Sequence, residues 1–325
     1  MYFSSQNNFL HGIMFHHFHD KEKHKKYQGS ISQNDIYKLI KYVGKKNIIS
    51  PDEFLDRVKK KKYKSKTICL TFDDNLKSQY DVALPVLEDF NIKSFFFIYS
   101  SCYEGKIDFF ELTRYFRANY YDNILEFYKD FYYFLNKDLN KFFLKNKRFI
   151  LNQKKKFPIY STQDIKFRLV RDNYLGRESF YKVMSKLFKS KNFKPIEHFK
   201  KLYISKNNLQ TIYKLGNSIG LHSHTHPNLM ESLNYKNQYT EYSKNLSKLS
   251  EIINIPKDEI RTMSHPSGSY NKTTLKILKD LGIELGFKQL MTKEPEKGMK
   301  KVNNSSLEIA REDHADIIKK INNRK

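Results

Sequence analysis

The sequence predicts an α/β fold, with a mostly parallel sheet and surrounding helices, interrupted by a mostly helical insertion. Short apolar runs of strand length alternate with longer segments whose apolar residues recur at helical spacing, which is typical of successive βα units. Between residues 104 and 205 that alternation stops, and aromatic and lysine residues recur at helical spacing instead. We therefore expect one large domain built from residues 1–103 and 206–325, with the helical insertion at residues 104–205.

Seven apolar runs are predicted as strands, because they are short and rich in β-branched and aromatic residues. The predicted strands are Leu10–Phe15, Thr67–Phe72, Ser94–Tyr99, Ser218–His222, Thr262–His265, Glu284–Phe287 and Leu307–Ala310. The helices predicted between and after them are Gln33–Val43, Pro51–Lys60, Lys77–Phe90, Leu233–Ile252, Lys272–Leu281 and Asp313–Ile321. Pro51 after Ser50 is typical of a first helical turn behind a capping serine.

The composition is that of a folded chain, with 39% apolar and 15% aromatic residues, and it excludes a disordered protein. No apolar run approaches the ~18–20 residues of a membrane-spanning helix. The first ten residues lack the basic and apolar regions of a signal peptide, so we expect a cytoplasmic location. The two cysteines, Cys69 and Cys102, lie in or beside apolar runs, and we expect both to be reduced packing residues.

A net charge of +25 would suit nucleic acid or an anionic membrane as a partner. Lysine, however, is spread along the whole chain together with Asn, Ile, Tyr and Phe, which indicates a general compositional bias. The densest run, Lys59–Lys66, falls between a predicted helix and a predicted strand, where a solvated loop is expected. We therefore expect no specific nucleic-acid binding, and favour attraction to an anionic sugar substrate.

Two adjacent carboxylates, Asp73 and Asp74, follow the second predicted strand in the sequence TFDDN at residues 71–75. Like charges held together at a strand end repel each other, and a bound cation relieves that repulsion. One carboxylate can then bind a metal while the other handles a proton. An Asp-Asp pair by itself is weak support, since most such pairs lie in surface turns.

Three histidines, His222, His224 and His226, lie within five residues after the fourth predicted strand. Such a cluster predicts a metal site far more strongly than a single histidine does. If the strand continues, all three imidazoles lie on one side of it. If the chain forms a helical turn instead, His222 and His226 converge and His224 points elsewhere. Pro227 favours this second geometry, because it favours an end to the strand.

A turn containing Ser267 and Gly268 follows the fifth predicted strand, in the sequence SHPSGSYN at residues 264–271. Such a turn can direct backbone N–H groups into a pocket, which suits an oxyanion hole. Taken alone, the motif is more typical of an ordinary turn before a helix.

Together the three motifs resemble those of the polysaccharide deacetylases, the NodB homology family of carbohydrate esterases. The resemblance rests on Thr-Phe-Asp-Asp, His-Ser-x-x-His-Pro-x-Leu and Pro-x-Gly-x-Tyr-Asn in that order, and it covers roughly residues 10–99 and 212–310. His16, after the first strand, is similar to a strand-end histidine in members that act on surface polysaccharides. The resemblance implies a distorted (β/α) barrel with its site at the C-terminal ends of the strands, plus a large helical insertion.

The resemblance also implies a metal-dependent carbohydrate N-deacetylase, which removes an N-acetyl or other N-acyl group from a sugar. Asp74, His222 and His226 are the implied ligands of one divalent metal ion, zinc in the first place, with cobalt, nickel or manganese as alternatives. Asp73 is the implied general base, which takes a proton from the attacking water.

Other roles implied by the resemblance are less specific. The N–H group of Ser267 would bind the oxyanion, and His314, in the late strand region, would protonate the departing amine. The family has an arginine two residues before the proline of the third motif, where this chain has Ser264. Arg311, also a candidate substrate contact, or Arg261 could replace it.

The insertion and the absence of an export signal favour a cytoplasmic glycan precursor, such as a nucleotide- or lipid-linked amino sugar of surface-polysaccharide metabolism. Two alternatives remain: a hydrolase of a non-sugar amide bond on the same fold, and an inactive glycan-binding module. Retention of both Asp73 and Asp74 argues against the module, because binding alone needs no base.

Overall fold

The computed structural model describes residues 2–5, 7–106, 108–156 and 160–323. The chain forms two compact units. The barrel unit comprises Met1–Asp20, Ile31–Lys106 and Tyr203–Lys325, and the helical unit comprises Lys21–Ser30 and Ile107–Leu202.

Parallel strands form the nearly closed barrel of the first unit. They are β1 (His11–Phe15), β2 (Ile68–Phe72), β3 (Phe95–Ile98), β4 (Ser218–Leu221), β5 (Thr262–Ser264), β6 (Leu285–Phe287) and β7 (Arg311–Asp313). Their spatial order is β6-β5-β4-β3-β2-β1-β7, and each neighbouring pair is parallel. The barrel fold predicted from the sequence is thereby confirmed.

The segment before β7 links the two edges of the sheet. Ile309 forms a parallel bridge with Phe287 of β6, and the Gly12 N–H of β1 donates to the Ala310 carbonyl at 2.9 Å. The predicted strand Leu307–Ala310 therefore lies at the seam, whereas the regular strand β7 begins only at Arg311. The prediction ended too early because the sequence Arg-Glu-Asp of β7 has no apolar residue, although the first two of these side chains are buried.

Helices connect the strands and make up the second unit. They are α1 (Gln33–Val43), α2 (Pro51–Lys59), α3 (Leu84–Asp89), α4 (Phe109–Tyr120), α5 (Ile124–Leu135), α6 (Asn140–Lys145), α7 (Lys147–Lys156), α8 (Thr162–Leu169), α9 (Gly176–Ser190), α10 (Pro195–Leu202), α11 (Lys206–Lys214), α12 (Tyr235–Ile253), α13 (Lys272–Asp280) and α14 (His314–Asn322). The helix predicted at residues 77–90 is partly a π-helical segment, Gln79–Ala83, which runs into α3. Ser50 caps α2 through the Glu53 N–H, as its position before Pro51 predicted.

The barrel strands are buried on both faces, as expected for a parallel sheet covered by helices. Along β3, Phe95 and Phe97 join an apolar cluster that also contains Phe54 of α2, whereas Phe96 and Ile98 join the larger cluster formed with the surrounding helices. Alternate side chains of the strand thus pack into two different apolar clusters, so the strand is held from both faces. The C-terminal ends of such strands provide a rigid frame for the residues that follow them.

The helical unit has an aromatic core of its own. Its buried aromatic residues include Phe116, Phe127, Phe131, Phe167, Phe180, Phe188 and Phe193. Within the same unit, Asp164 of α8 is fully buried and accepts hydrogen bonds from Arg117 at 2.8 Å and from Arg168 at 2.6 Å.

Cys69 and Cys102 are both buried and form no disulfide, as predicted. Burial raises the pKa of the Cys69 thiol well above its usual range, which keeps that thiol unreactive. Across the described residues, we find no helix long and apolar enough to cross a membrane.

Candidate active site

The two aspartates lie directly after β2, at the C-terminal end of the barrel. The Asp73 N–H still donates to the Phe15 carbonyl of β1, at 3.0 Å. Asp74 and Asn75 then adopt left-handed backbone conformations, with φ of 78° and 57°. Asp and Asn tolerate this region better than other residues with a side chain, and such backbone strain is often found at functional sites.

Asp73 is buried and held by an arginine from the other end of the chain. Its two carboxylate oxygens each accept a hydrogen bond from Arg311, both at 2.8 Å. Ser264 donates to Asp73 Oδ2 at 3.2 Å and itself accepts from Arg311 at 2.8 Å. Burial by itself raises the pKa of Asp73, but the charge and hydrogen bonds of Arg311 outweigh it, and the net pKa lies below the usual value.

Asp74 faces two histidines. The Nε2 atoms of His222 and His226 each lie 3.3 Å from Asp74 Oδ1. One ligand atom from each of the three residues can be chosen so that all lie within 4.8 Å of one another. Burial raises the pKa of Asp74, but hydrogen bonds with both imidazoles outweigh it and hold the pKa well below its usual range.

The two histidines converge, but not through a helical turn. Strand β4 ends at Leu221, and Ser223 and His226 then adopt left-handed conformations, with φ of 64° and 52°. The chain therefore folds back on itself, and His222 and His226 meet at Asp74. The helical turn considered from the sequence would also bring His222 and His226 together. In the structure, left-handed residues do so instead, and sequence spacing does not reveal such residues.

The middle histidine of the motif points away from this cluster. His224 Nδ1 lies 3.0 Å from Ser100 Oγ, and its Nε2 lies 3.4 Å from a carboxylate oxygen of Glu104. Glu241 of α12 accepts hydrogen bonds from the backbone N–H groups of His224 and Thr225, at 2.9 and 2.7 Å. The Glu241 carboxylate thus fixes the loop between His222 and His226.

Of the two arginines considered as replacements for the missing family arginine, only Arg311 is paired with Asp73. Arg261 lies instead 3.5 Å from Glu284. The buried Arg311 side chain also donates to the Lys288 carbonyl at 3.0 Å. Arg311 thus lies buried between the Asp73 carboxylate and the Lys288 carbonyl oxygen.

The third motif forms a short turn, Pro266–Gly268, after β5. The Gly268 N–H donates to the His265 carbonyl at 3.0 Å, so this group is engaged within the turn. Ser267 is exposed and left-handed, with φ of 52°. Its N–H has no hydrogen-bond acceptor among the described residues, which leaves that group available to a ligand.

His16, which was not among the predicted catalytic residues, lies at the aspartate pair. Its Nε2 is 3.9 Å from Asp73 Oδ2 and also 3.9 Å from Asp74 Oδ2. Gln79 donates to the carbonyl oxygens of both His16 and Asp73, which ties the two strand ends together. The signal in the sequence was its position directly after β1, at the same end of the barrel as Asp73.

His314 is the first residue of α14 and is buried beside β1. Its Nδ1 lies 3.1 Å from the Met14 carbonyl oxygen, and its ring stacks on Phe15 with the ring centres 5.5 Å apart.

A family model of polysaccharide deacetylases matches residues 60–114 and 156–286, more than half of the chain. The chain belongs to the polysaccharide deacetylase family. It is therefore a carbohydrate deacetylase by family, with the motif order expected of one. None of the curated proteins matches the sequence significantly.

Solved structures share the fold of this deacetylase at low sequence identity. The Streptococcus pyogenes deacetylase PplD in complex with acetate is 16% identical, with a TM-score of 0.53, over 94% of this chain and 92% of that one. A de-N-acetylase from Aggregatibacter actinomycetemcomitans is 13% identical, with a TM-score of 0.54, over 96% and 99%. The BpsB deacetylase domain from Bordetella bronchiseptica is 14% identical, with a TM-score of 0.53, over 94% and 96%.

Proposed function

We propose that this deacetylase is a metal-dependent hydrolase that removes the N-acetyl group from an amino sugar of a glycan or glycan precursor. The observation that carries the proposal is the different surroundings of two adjacent carboxylates. Asp73 is held by Arg311 and Ser264, whereas Asp74 faces His222 and His226. Such a pair suits one residue for proton transfer and one for metal binding.

The donor atoms present fit a divalent ion. His222 Nδ1 lies 2.9 Å from the Ser264 carbonyl oxygen, which can only accept, so neutral His222 carries its lone pair on Nε2. That lone pair faces a carboxylate oxygen, and only a proton or a cation between them makes the contact favourable. Two imidazoles and one carboxylate suit zinc, or cobalt, nickel or manganese. When bound, such an ion lowers the pKa of a water ligand and polarises an acyl carbonyl.

Asp73 acts as the general base in this proposal. It takes a proton from water as the water oxygen bonds to the acyl carbon, and the C–N bond then breaks to release acetate and the amine. Arg311 holds both carboxylate oxygens at 2.8 Å, which fixes the direction in which Asp73 presents its lone pairs.

The remaining roles are assigned to Ser267 and to a histidine. The Ser267 N–H donates to the oxyanion that develops during attack. The departing amine takes its proton from a histidine. His16 lies 3.9 Å from both aspartates and is the better-supported donor, with His314 as the second candidate. Gly268 shapes the turn that presents Ser267, rather than binding the oxyanion itself.

The family indicates an acetylated sugar as the substrate class. The group to which that sugar is linked, such as a nucleotide or a lipid, is a further proposal. We infer an N-acetylated amino sugar of surface-polysaccharide metabolism, and we keep a nucleotide- or lipid-linked form as the first one to test. A phosphate-bearing sugar would be attracted by the net charge of +25.

The test is acetate release from a panel of nucleotide-linked, lipid-linked and polymeric N-acetylhexosamines, with added zinc, cobalt, nickel or manganese. We expect Asp73→Asn to lose turnover by at least about 10³-fold while keeping its metal. His222→Ala should lose both metal and turnover. Near-wild-type acetate release by Asp73→Asn, or unchanged metal content in His222→Ala, would contradict the assigned roles.

A further inference from the structure

The loop between β6 and β7, residues 288–306, contacts the turn to which we assign oxyanion binding. The Lys297 ammonium donates a hydrogen bond to the Gly268 carbonyl oxygen at 2.7 Å. It also lies 4.1 Å from the centre of the Tyr270 ring, and the face of an aromatic ring attracts a cation. Gly268 and Tyr270 both belong to the third motif, so one side chain from outside the motif contacts two of its residues.

The turn needs such support because its backbone conformation is unfavourable. Ser267 and Gly268 are successive left-handed residues, with φ of 52° and 68°, and this conformation is costly for a serine. The Ser267 side chain is exposed, so packing does not hold it. The Ser269 N–H closes the turn from within by donating to the Pro266 carbonyl oxygen at 2.9 Å. The bond from Lys297 to the Gly268 carbonyl restrains the turn from outside, and with it the direction of the Ser267 N–H.

Lys297 is itself held in place by the loop. Its ammonium lies 3.1 Å from Glu294 Oε1, and the two side chains are only 17% and 10% exposed, which makes the pair stronger than one on the surface. Glu294 Oε2 lies 3.7 Å from the ammonium of the fully buried Lys288. The backbone carbonyl of Lys288 accepts from Arg311 at 3.0 Å. The same loop therefore contacts the arginine that holds the proposed base and the turn that presents the oxyanion donor.

We propose that Lys297 is a positioning residue for the oxyanion-binding turn. Its hydrogen bond to the Gly268 carbonyl fixes the Ser267 N–H in the direction that the oxyanion requires, before the substrate arrives. Lys297 is not a substrate contact in this proposal, because its ammonium already has Gly268, Glu294 and Tyr270 as partners. The inference rests on the proposed function, which gives the Ser267 N–H its role.

The first test compares turnover in variants of this lysine. Lys297→Met keeps a long side chain but removes the donor, and we expect kcat for an N-acetylated sugar to fall about 10–100-fold, with KM and metal content within about twofold of the wild type. Lys297→Arg, which keeps a cationic donor, should recover most of the loss. Lys300→Met removes an exposed lysine of the same loop and should change nothing. Unchanged kcat in Lys297→Met overturns the proposal, as does a rise in KM confined to phosphate-bearing sugars.

A thioacetyl substrate separates positioning of the oxyanion donor from general distortion of the site. Sulfur accepts hydrogen bonds more weakly than oxygen does, so turnover of an N-thioacetyl sugar depends less on the Ser267 N–H. With the same metal ion bound, Lys297→Met should therefore lose several times more activity on the acetyl sugar than on the thioacetyl sugar. Equal losses on the two substrates indicate a site distorted as a whole, and overturn the proposal.

Amide hydrogen exchange tests the same role without turnover. The Gly268 and Ser269 N–H groups are bonded within the turn, so their exchange reports its opening. We expect both amides to exchange at least about tenfold faster in Lys297→Met and at the wild-type rate in Lys300→Met. Unchanged exchange in Lys297→Met overturns the proposal. A wild type that releases no acetate from any N-acetyl sugar refutes the proposed function, whereas an active wild type with an equally active Lys297→Met variant refutes only the role of Lys297.

Discussion

At the scale of single residues, the departing amine must gain a proton, and two histidines are candidates to supply it. His16 lies 3.9 Å from both Asp73 and Asp74 and is 24% exposed, so a substrate can reach it. His314 is buried against Met14 and Phe15. These positions favour His16, which follows β1, over His314, which was suggested from the sequence because it lies near the last strand.

We expect His16→Asn to lower kcat for N-acetyl sugars by about 10²–10⁴-fold, as loss of a general acid does. His314→Asn should lower it less than about tenfold. An activated aryl acetate has a leaving group that needs no proton, so it should lose much less activity in His16→Asn. Metal content serves as the control, because His16 lies near Asp74. Equal losses on both substrates, or a larger loss in His314→Asn, would exclude His16 as the acid.

At the scale of elements, the loop between β4 and α12 depends on one carboxylate from the helix. Glu241 accepts the N–H groups of His224 and Thr225, and also the Thr225 hydroxyl at 2.6 Å. These bonds hold a loop whose two ends carry His222 and His226. A residue that does not touch the proposed metal thus determines whether its ligands meet.

We predict that Glu241→Gln weakens metal binding by about 10–100-fold, because one of its acceptor oxygens becomes a donor. Catalysis at saturating metal should be less affected than catalysis at limiting metal. Glu251→Gln, on the same helix but paired with Lys248 on the surface, is the matched control and should leave metal affinity unchanged. Titration with zinc, followed by acetate release, measures both. Equal zinc affinities in the two variants would refute this role of Glu241.

At the scale of the whole molecule, the helical unit depends on a buried charge cluster of its own. Asp164 is fully buried between Arg117 and Arg168. Burial raises the pKa of Asp164, but the two arginines outweigh it and lower the pKa to about 2. Since the unfolded value is about 3.9, this carboxylate stabilises the folded state fully above about pH 4. That contribution is lost as the pH falls toward about 2.

We expect Asp164→Asn to reduce the free energy of unfolding at neutral pH by about 2 kcal/mol or more, because two arginines lose their partner. The difference from the wild type should shrink below about pH 4. Asp172→Asn, which removes a surface pair with Arg171, should cost less than about 0.5 kcal/mol. Urea unfolding, followed between pH 3 and pH 7, measures both. A difference that stays constant over this range would contradict the assignment.

The sequence by itself determined the parallel α/β fold, most strand and helix positions, and the family. It also predicted Asp73, Asp74, His222 and His226 as site residues, because strand periodicity and short motifs are local properties of the chain. The tertiary structure alone decided that Arg311 rather than Arg261 holds Asp73, that His16 lies at the aspartate pair, and that β7 is a strand with two buried charged residues. Arg311 and Asp73 are 238 positions apart. Their contact forms because the barrel brings the end of β2 and the strand β7 close together. No local sequence pattern encodes that arrangement.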